Sequence, residues 1–216
     1  MSYMFASCSS LTSLDLSSFD TSNVLNMANM FQGCTKITSL NISKFNTKEV
    51  RTMEFMFNNM NELISLDLSS FDTSKVTRFN FMFYQCTKIT SLNLSNFNTS
   101  QVITMVGIFS YCTDLVYLDI SSFNTSKLDS MSNMFNYCTS LVSINLSSFN
   151  TENVENMAMM FENCHSLTSL DLSNFNTKNV EVVSGMFMNN YNLEYLDISN
   201  FDFNNVFSLG SFFLWM

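Results

Sequence analysis

The stretch Ser13–Ser22, SLDLSSFDTS, decides how this chain folds. Near-copies of it recur along the whole sequence at a constant spacing of 26 residues, without an insertion or a deletion. Its phenylalanine marks the register, and the equivalent residues are Phe19, Phe45, Phe71, Phe97, Phe123, Phe149, Phe175 and Phe201. A constant period of this length is typical of a solenoid, in which each repeat stacks on the next.

Two hydrophobic periods lie inside each repeat. Ser13–Ser17 alternates polar and apolar residues, which predicts a β-strand with one buried face. Val24–Phe31 is apolar at steps of three and four residues, which predicts an amphipathic helix with its methionines in the core. Between these segments, the side-chain oxygen of Asp20 or Thr21 suits the N-cap of that helix.

We therefore predict the fold class α/β: a right-handed β/α solenoid of eight 26-residue repeats, with one parallel sheet and helices on the opposite face. Residues 1–216 are expected to form a single domain, because one repeat buries too little apolar surface to fold alone. The chain opens inside a repeat and closes on the apolar segment Phe207–Trp215, predicted to be a last helix. We expect it to belong to a longer array or precursor, or to associate end to end.

The charge balance excludes some partners. The chain has 18 acidic and 9 basic residues, for a net charge of −9, and most of this excess lies in residues 109–216. Binding of nucleic acid needs clustered Lys and Arg, so no nucleic acid is expected as a partner. The sequence shows no signal peptide and no apolar run long enough to insert into a membrane.

The residues that could suggest catalysis have simpler explanations. The six cysteines share one column before the strand, which also holds Met60 and Asn190, so packing explains them better than disulfide or metal chemistry. His165 is the only histidine and follows Cys164 directly, where a catalytic pair rarely forms. Phosphate-binding and nucleophile-elbow motifs are absent from the sequence. We predict that the chain is not an enzyme and needs no cofactor.

The outward face of the strands is the predicted binding surface. Tyr117 and Tyr195 interrupt an outward column of serines, and exposed tyrosine beside small polar groups suits recognition of protein or glycan. The adjacent column alternates Asp and Asn, which spaces the carboxylates and lets an amide donate to the neighbouring carboxylate. It consists of Asp15, Asn41, Asp67, Asn93, Asp119, Asn145, Asp171 and Asp197. The predicted ligand-binding residues are Tyr117, Tyr195, Asp119, Asp171 and Asp197.

The alternation of Asp and Asn breaks at the end of the chain, where two carboxylates adjoin. No metal site is predicted, and calcium at Asp171, Asp197 and Asp202 is the less favoured alternative.

The repeat also resembles a known family. Its strand half is similar to the leucine-rich repeat, and residues 30–57, MFQGCTKITSLNISKFNTKEVRTMEFMF, resemble the 26-residue repeat of BspA-like leucine-rich-repeat surface proteins of bacteria. The resemblance covers essentially the whole chain. It implies a cell-surface or secreted protein acting in adhesion and host contact, and it brings no catalytic residues with it.

The leading hypothesis is therefore a non-catalytic binding module that recognises protein or glycan ligands on its strand face. The alternative is a structural spacer or scaffold without a ligand of its own.

Overall fold

The computed structural model describes residues 1–214, and within that range it contains short strands and turns but no helix. The six strands are β1 (Ser39–Leu40), β2 (Ser65–Leu66), β3 (Ser91–Asn93), β4 (Tyr117–Asp119), β5 (Ser169–Asp171) and β6 (Tyr195–Asp197). Each strand lies inside a copy of the alternating segment, so the predicted positions of these strands are correct. The copies at residues 13–17 and 143–147 form no strand.

The strands pair in parallel with partners 26 residues apart, as in Ser39 with Ser65 and Ser91 with Tyr117. They form three separate sheets of two strands each, β1–β2, β3–β4 and β5–β6. The prediction of one continuous sheet is therefore wrong. Strands of two or three residues form few hydrogen bonds with each neighbouring strand, so pairing between consecutive repeats is easily interrupted.

The predicted helices are replaced by consecutive turns. In the first repeat, Asn29 and Gly33 have φ angles of 60° and 70°, and all the equivalent positions of the later repeats within residues 1–214 are also left-handed. A left-handed residue every fourth position is incompatible with an α-helix. The segment Phe207–Leu214 also forms turns, and Trp215 lies outside the described residues. The helix prediction is wrong because turns with this spacing bury residues at the same steps of three and four.

Hydrogen bonds in the turn segment alternate between the chain's own turn and the next repeat. Met30 N donates to Met27 O across 3.2 Å, which closes a turn, whereas Phe31 N donates to Met56 O across 2.9 Å. Every second N–H therefore links two repeats, and a parallel ladder joins the turn side as well as the strand side. Thr52 is one member of this second ladder, bridged to Asn26 and Arg78.

The core lies between the two ladders and contains a continuous stack of phenylalanine rings. Neighbouring rings in the stack are 5.4–6.0 Å apart between centroids and nearly parallel. The stack consists of Phe5, Phe31, Phe57, Phe83, Phe109, Phe135, Phe161, Phe187 and Phe213. The methionines at Met27 and Met30 are fully buried beside it, as predicted, although they lie on turns and not on a helix.

A buried threonine clamps each repeat to the next. Thr21 Oγ1 donates to Asn46 O across 3.0 Å and accepts from Asn46 N across 2.7 Å. The same pair of bonds recurs at Thr47, Thr73, Thr99, Thr125, Thr151 and Thr177. With no helix to cap, the predicted N-cap role of Thr21 is wrong. Asp20 instead accepts a hydrogen bond from Ser22 N and shapes a local turn.

Candidate ligand-binding face

The strand face opens into a groove on one side of β4. Residues 143–145, the next copy of the strand segment, pair with neither β4 nor β5. The groove left between them has a volume of about 340 Å³ and is lined by Tyr117, Asp119, Ser121, Ser143 and Asn145, among others. Two of the predicted ligand-binding residues, Tyr117 and Asp119, therefore line the same cavity.

Tyr117 and Asp119 present different chemistry to the groove. Tyr117 is 57% exposed and offers the face of its ring and a hydroxyl. Asp119 Oδ1 accepts hydrogen bonds from Ser121 Oγ across 2.7 Å and from Ser121 N across 3.1 Å. These bonds lower the pKa of the Asp119 carboxyl, so it is ionised at neutral pH. The side chain is held in place with a negative charge beside an aromatic ring.

In the Asp and Asn column, each side chain hydrogen-bonds within its own repeat and not to the next member of the column. In each of its eight positions, the side-chain Oδ1 accepts a hydrogen bond from the backbone N of the residue two positions later. The expected amide-to-carboxylate bond between neighbours does not occur in residues 1–214. Asp and Asn serve this turn equally well because both supply the acceptor oxygen.

A second, smaller groove adjoins the first. It has a volume of about 170 Å³, and its lining includes Asn145, Ser147, Asp171 and Ser173. Asn145 lines both grooves, so Asp171 belongs to the same stretch of the strand face as Tyr117 and Asp119. Hydrogen bonds from Ser173 lower the pKa of Asp171, and the nearby charge of Asp197 opposes this effect only in part.

Tyr195 and Asp197 lie on β6, one repeat further along. The Tyr195 hydroxyl donates to Asp197 Oδ2 across 3.4 Å, and Ser199 N donates to Asp197 Oδ1 across 2.9 Å. The Asp197 charge raises the pKa of Tyr195, and hydrogen bonding by Ser199 lowers the pKa of Asp197. The Asp171–Asp197 pair is in register on β5 and β6 and carries two negative charges at neutral pH.

The less favoured alternative, a calcium site, would need several acidic side chains grouped together. Among residues 1–214, no three His, Cys, Asp or Glu side chains group as they would around a metal ion. Asp202 is instead held by the threonine clamp, where its backbone N donates to Thr177 Oγ1 across 2.6 Å.

The cysteine column packs in the core. Cys8 is exposed, and the other five cysteines are buried and free. Each buried Sγ donates to a phenylalanine carbonyl of an adjoining repeat, as Cys86 does to Phe57 O across 3.1 Å. Burial raises the pKa of Cys34 to about 11 and that of Cys86 to about 12, which suppresses the reactive thiolate.

His165 and Cys164 do not form a catalytic pair. The buried Cys164 Sγ donates to Phe135 O across 3.1 Å, whereas His165 Nε2 lies 3.3 Å from Asn163 Oδ1. The His165 ring also packs edge-on against Tyr191, at 5.3 Å between centroids.

The sequence patterns missed an aromatic cluster on the turn side. The half-buried rings of Tyr84, Tyr111 and Tyr137 follow one another at 5.5 and 4.4 Å between centroids. Tyr111 and Tyr137 occupy equivalent positions in consecutive repeats, so column alignment of the turn segment could have found that pair. Those positions follow the predicted helix directly, in the segment expected to form the return turn before the next strand.

Parallel strands joined by turns at a constant period define a solenoid of leucine-rich-repeat type. A leucine-rich repeat protein from Bacteroides ovatus matches with a TM-score of 0.50 and 17% identity, over 95% of this chain and 41% of that one. At that identity the similarity concerns the fold alone. The chain spans about two fifths of the length of the Bacteroides ovatus protein.

Two further structures are similar at lower scores. An internalin (inlF) from Listeria monocytogenes matches with a TM-score of 0.36 and 13% identity, over 83% of this chain and 62% of that one. A leucine rich cell surface protein from Faecalibacterium prausnitzii matches with a TM-score of 0.34 and 14% identity, over 81% and 76% respectively.

The chain belongs to the family described as Mycoplasma protein of unknown function, DUF285. The family model matches twice, over residues 1–117 and 105–215, and the two matches overlap at residues 105–117. A comparison with curated protein sequences finds no match. No helix within residues 1–214 is long and apolar enough to cross a membrane.

Proposed function

We propose that this chain is a non-catalytic binding module of a bacterial cell-surface or secreted protein, similar to BspA-like leucine-rich-repeat proteins. It recognises a protein or glycan ligand on its strand face and thereby serves adhesion or host contact. The leucine-rich repeat protein of Bacteroides ovatus shares the general architecture, and the surface location and adhesive role rest on the resemblance of the repeat to BspA-like proteins.

The groove beside β4 carries the proposal. Its walls combine an exposed tyrosine ring, a fixed carboxylate and small polar side chains. An aromatic ring packs against the apolar face of a sugar or a side chain, and the carboxylate of Asp119 accepts hydrogen bonds from hydroxyl or ammonium groups. The adjoining Asp171 extends the same chemistry by one more repeat. Tyr195 and Asp197 supply a further contact on β6.

The first experiment is a screen of the purified chain on arrays of glycans and extracellular matrix proteins. For any ligand found, Tyr117→Ala and Asp119→Asn are expected to weaken binding by about tenfold each, since one well-placed contact contributes roughly 1–2 kcal/mol. Tyr191→Ala is the matched control, because Tyr191 is equally exposed but lies outside the strand face. Equal losses in all three variants, or none at Tyr117 and Asp119, would refute the groove as the site.

The second candidate function is a structural spacer, which the regular core favours. The phenylalanine stack and the threonine clamp run through every repeat and make an elongated, self-supporting unit. A screen without any ligand, together with loss of surface display of the attached domains when repeats are deleted, would support the spacer over the binding module.

A further inference from the structure

One exposed column along the turn side has an unusual order of side chains. We call it the edge file, and it consists of Leu25, Arg51, Thr77, Ile103, Asp129, Glu155, Glu181 and Phe207. Backbone bonds tie it together, since each N–H donates to the carbonyl of the previous member across 2.8–3.0 Å, except between Ile103 and Asp129. The members therefore follow one another at the spacing of the repeats.

When the order of the edge file is reversed, its outer members match, whereas its central pair sets the apolar Ile103 against the acidic Asp129. Its two ends are apolar and exposed, with Leu25 53% and Phe207 76% accessible. The second member from one end is basic, Arg51, and the second from the other end is acidic, Glu181. The centre of the file lies between Ile103 and Asp129, where the backbone link is missing.

We propose that the edge file is a self-association surface, on which a second copy of the chain binds side by side and antiparallel. A two-fold axis through the centre of the file places Leu25 against the partner's Phe207 and Arg51 against the partner's Glu181. Such an isologous contact makes every pair twice. This surface is separate from the strand face, so the inference does not rest on the proposed function.

Charge favours the antiparallel arrangement over the parallel one. In a parallel dimer, Arg51 would face Arg51 and the three consecutive acids would face themselves, which is repulsive. Lys75, which pairs with Glu49 across 2.6 Å, and Arg78, which lies 4.0 Å from Glu54, belong to the same repeat as Thr77 and would approach the partner's Glu155. One like-charged pair arises in a flanking column, between the exposed Lys48 and the partner's Lys178.

The contact is narrow, so the association is expected to be weak. A stable interface involves about 20–30 residues on each side, and the edge file with its flanks supplies fewer. Most of its attraction is electrostatic. Salt that shortens the Debye length from about 10 Å at 0.1 M to about 3 Å at 1 M is therefore expected to dissociate the dimer.

Sedimentation equilibrium of the 216-residue chain over a wide concentration range tests this proposal. We expect the average mass to rise toward twice that of one chain at low salt and to fall back at high salt. Arg51→Glu alone and Glu181→Arg alone should each raise the dissociation constant by about tenfold or more, because each change turns two attractive pairs repulsive. The double variant restores opposite charges and should recover the original constant.

The controls separate this surface from others. Neither the Arg51 nor the Glu181 side chain makes a hydrogen bond in the described part of the chain, so these variants should fold, and thermal unfolding checks that they do. Lys44→Glu changes the charge equally on the strand face and should leave the constant unchanged. A mass that stays monomeric at all concentrations would overturn the proposal. Association that changes neither with salt nor with the Arg51 substitution would also overturn it, because end-to-end stacking predicts that result. A double variant that folds but does not recover the original dissociation constant would overturn it as well.

Discussion

At the scale of single residues, the left-handed positions of the turn segment matter most. They recur twice in each repeat, and Asn and Gly are frequent there, as in Asn29 and Asn133. Bulkier residues also occupy them, including Phe81 and Met159. Phe81 and Met159 are followed 26 positions later by Gly107 and Gly185, so these two side chains have room to lean over the next repeat.

Replacement of Gly107 by alanine should destabilise the protein by about 2 kcal/mol or more. The left-handed backbone at φ 58° costs an alanine about 1 kcal/mol. A Cβ there would also lie 2.4 Å from the Phe81 ring, which must move. Chemical denaturation measures the change.

Two other glycines provide the controls. Gly185→Ala shares the left-handed backbone, but its Cβ would meet only the flexible Met159 side chain at 3.3 Å, so a smaller loss is expected. Gly210→Ala has neither problem and should be nearly neutral. Equal losses at all three sites would contradict this account.

The cysteine thiols should differ sharply in reactivity. The thiolate is the reactive form, and burial raises the pKa of Cys34 to about 11 and that of Cys86 to about 12. At about pH 8, only the exposed Cys8 should react quickly with a thiol reagent in the native protein. Of Cys34 and Cys86, the Cys34 thiol should lose its proton first as the pH rises toward 11.

Counting thiols before and after unfolding checks this prediction. All six should react once the chain is denatured without a reductant. A total below six would reveal a disulfide, and several fast thiols in the native protein would show that the column is not packed as described.

At the scale of structural elements, hydrogen bonds between repeats supplement the turns that close within each repeat. The threonine clamp, the alternate N–H groups of the turns and the short parallel strands all join neighbouring repeats. No element within residues 1–214 closes its own hydrogen bonds in the way a helix does. A single repeat is therefore expected to be unfolded in isolation.

Replacement of Thr99 by valine should remove one clamp while keeping the shape of the side chain. Thr99 Oγ1 donates to Asn124 O across 2.9 Å and accepts from Asn124 N across 2.7 Å. Valine would leave both backbone groups without this partner, and a loss of about 1–3 kcal/mol is expected. The change is measured by denaturant unfolding.

Thr90→Val is the matched control in the same repeat. Thr90 is exposed, and its column already contains Val116 and Val142. This variant should be nearly neutral. A Thr99 variant as stable as the Thr90 variant would show that the clamp contributes little beyond packing.

At the scale of the whole molecule, the solenoid divides into two halves. The turn-side ladder runs through Thr104 and resumes at Ser130, with no bridge between them. The family model matches twice, and its two matches overlap at residues 105–117, beside this interruption. The core continues across it, since Phe109 and Phe135 still stack at 5.8 Å. The halves thus share one core but are joined by fewer backbone bonds.

Hydrogen exchange should detect this junction. The amides of Met105 and Asp129 lack the inter-repeat bond that Phe79 and Glu155 make at the equivalent positions of neighbouring repeats. We expect the first two to exchange faster than the last two, because local opening there breaks fewer bonds. Equal protection at all four amides would contradict the division into halves.

Much of the architecture was predictable from the sequence, and the secondary structure of half the repeat was not. The period of 26 residues, the parallel strands at six of the eight predicted positions, and the buried methionines are confirmed. The helix was wrong because apolar steps of three and four arise equally from consecutive turns with left-handed residues. Asn and Gly at positions 29 and 33, recurring in later repeats, were the available signal for those turns.

The sequence by itself determined the repeat, its register and the residues that point inward, because apolar side chains at a fixed period must be buried by neighbouring copies. It also marked Tyr117, Tyr195 and the adjoining pair Asp171 and Asp197 as departures on an otherwise uniform face. Only the tertiary structure decided that the strand ladder opens beside β4 and that backbone bonds join the edge file on each side of its centre but not across it. Hydrogen bonds between residues 26 apart depend on small differences in backbone direction. Such differences accumulate over whole repeats, and a pattern of residue types does not encode them.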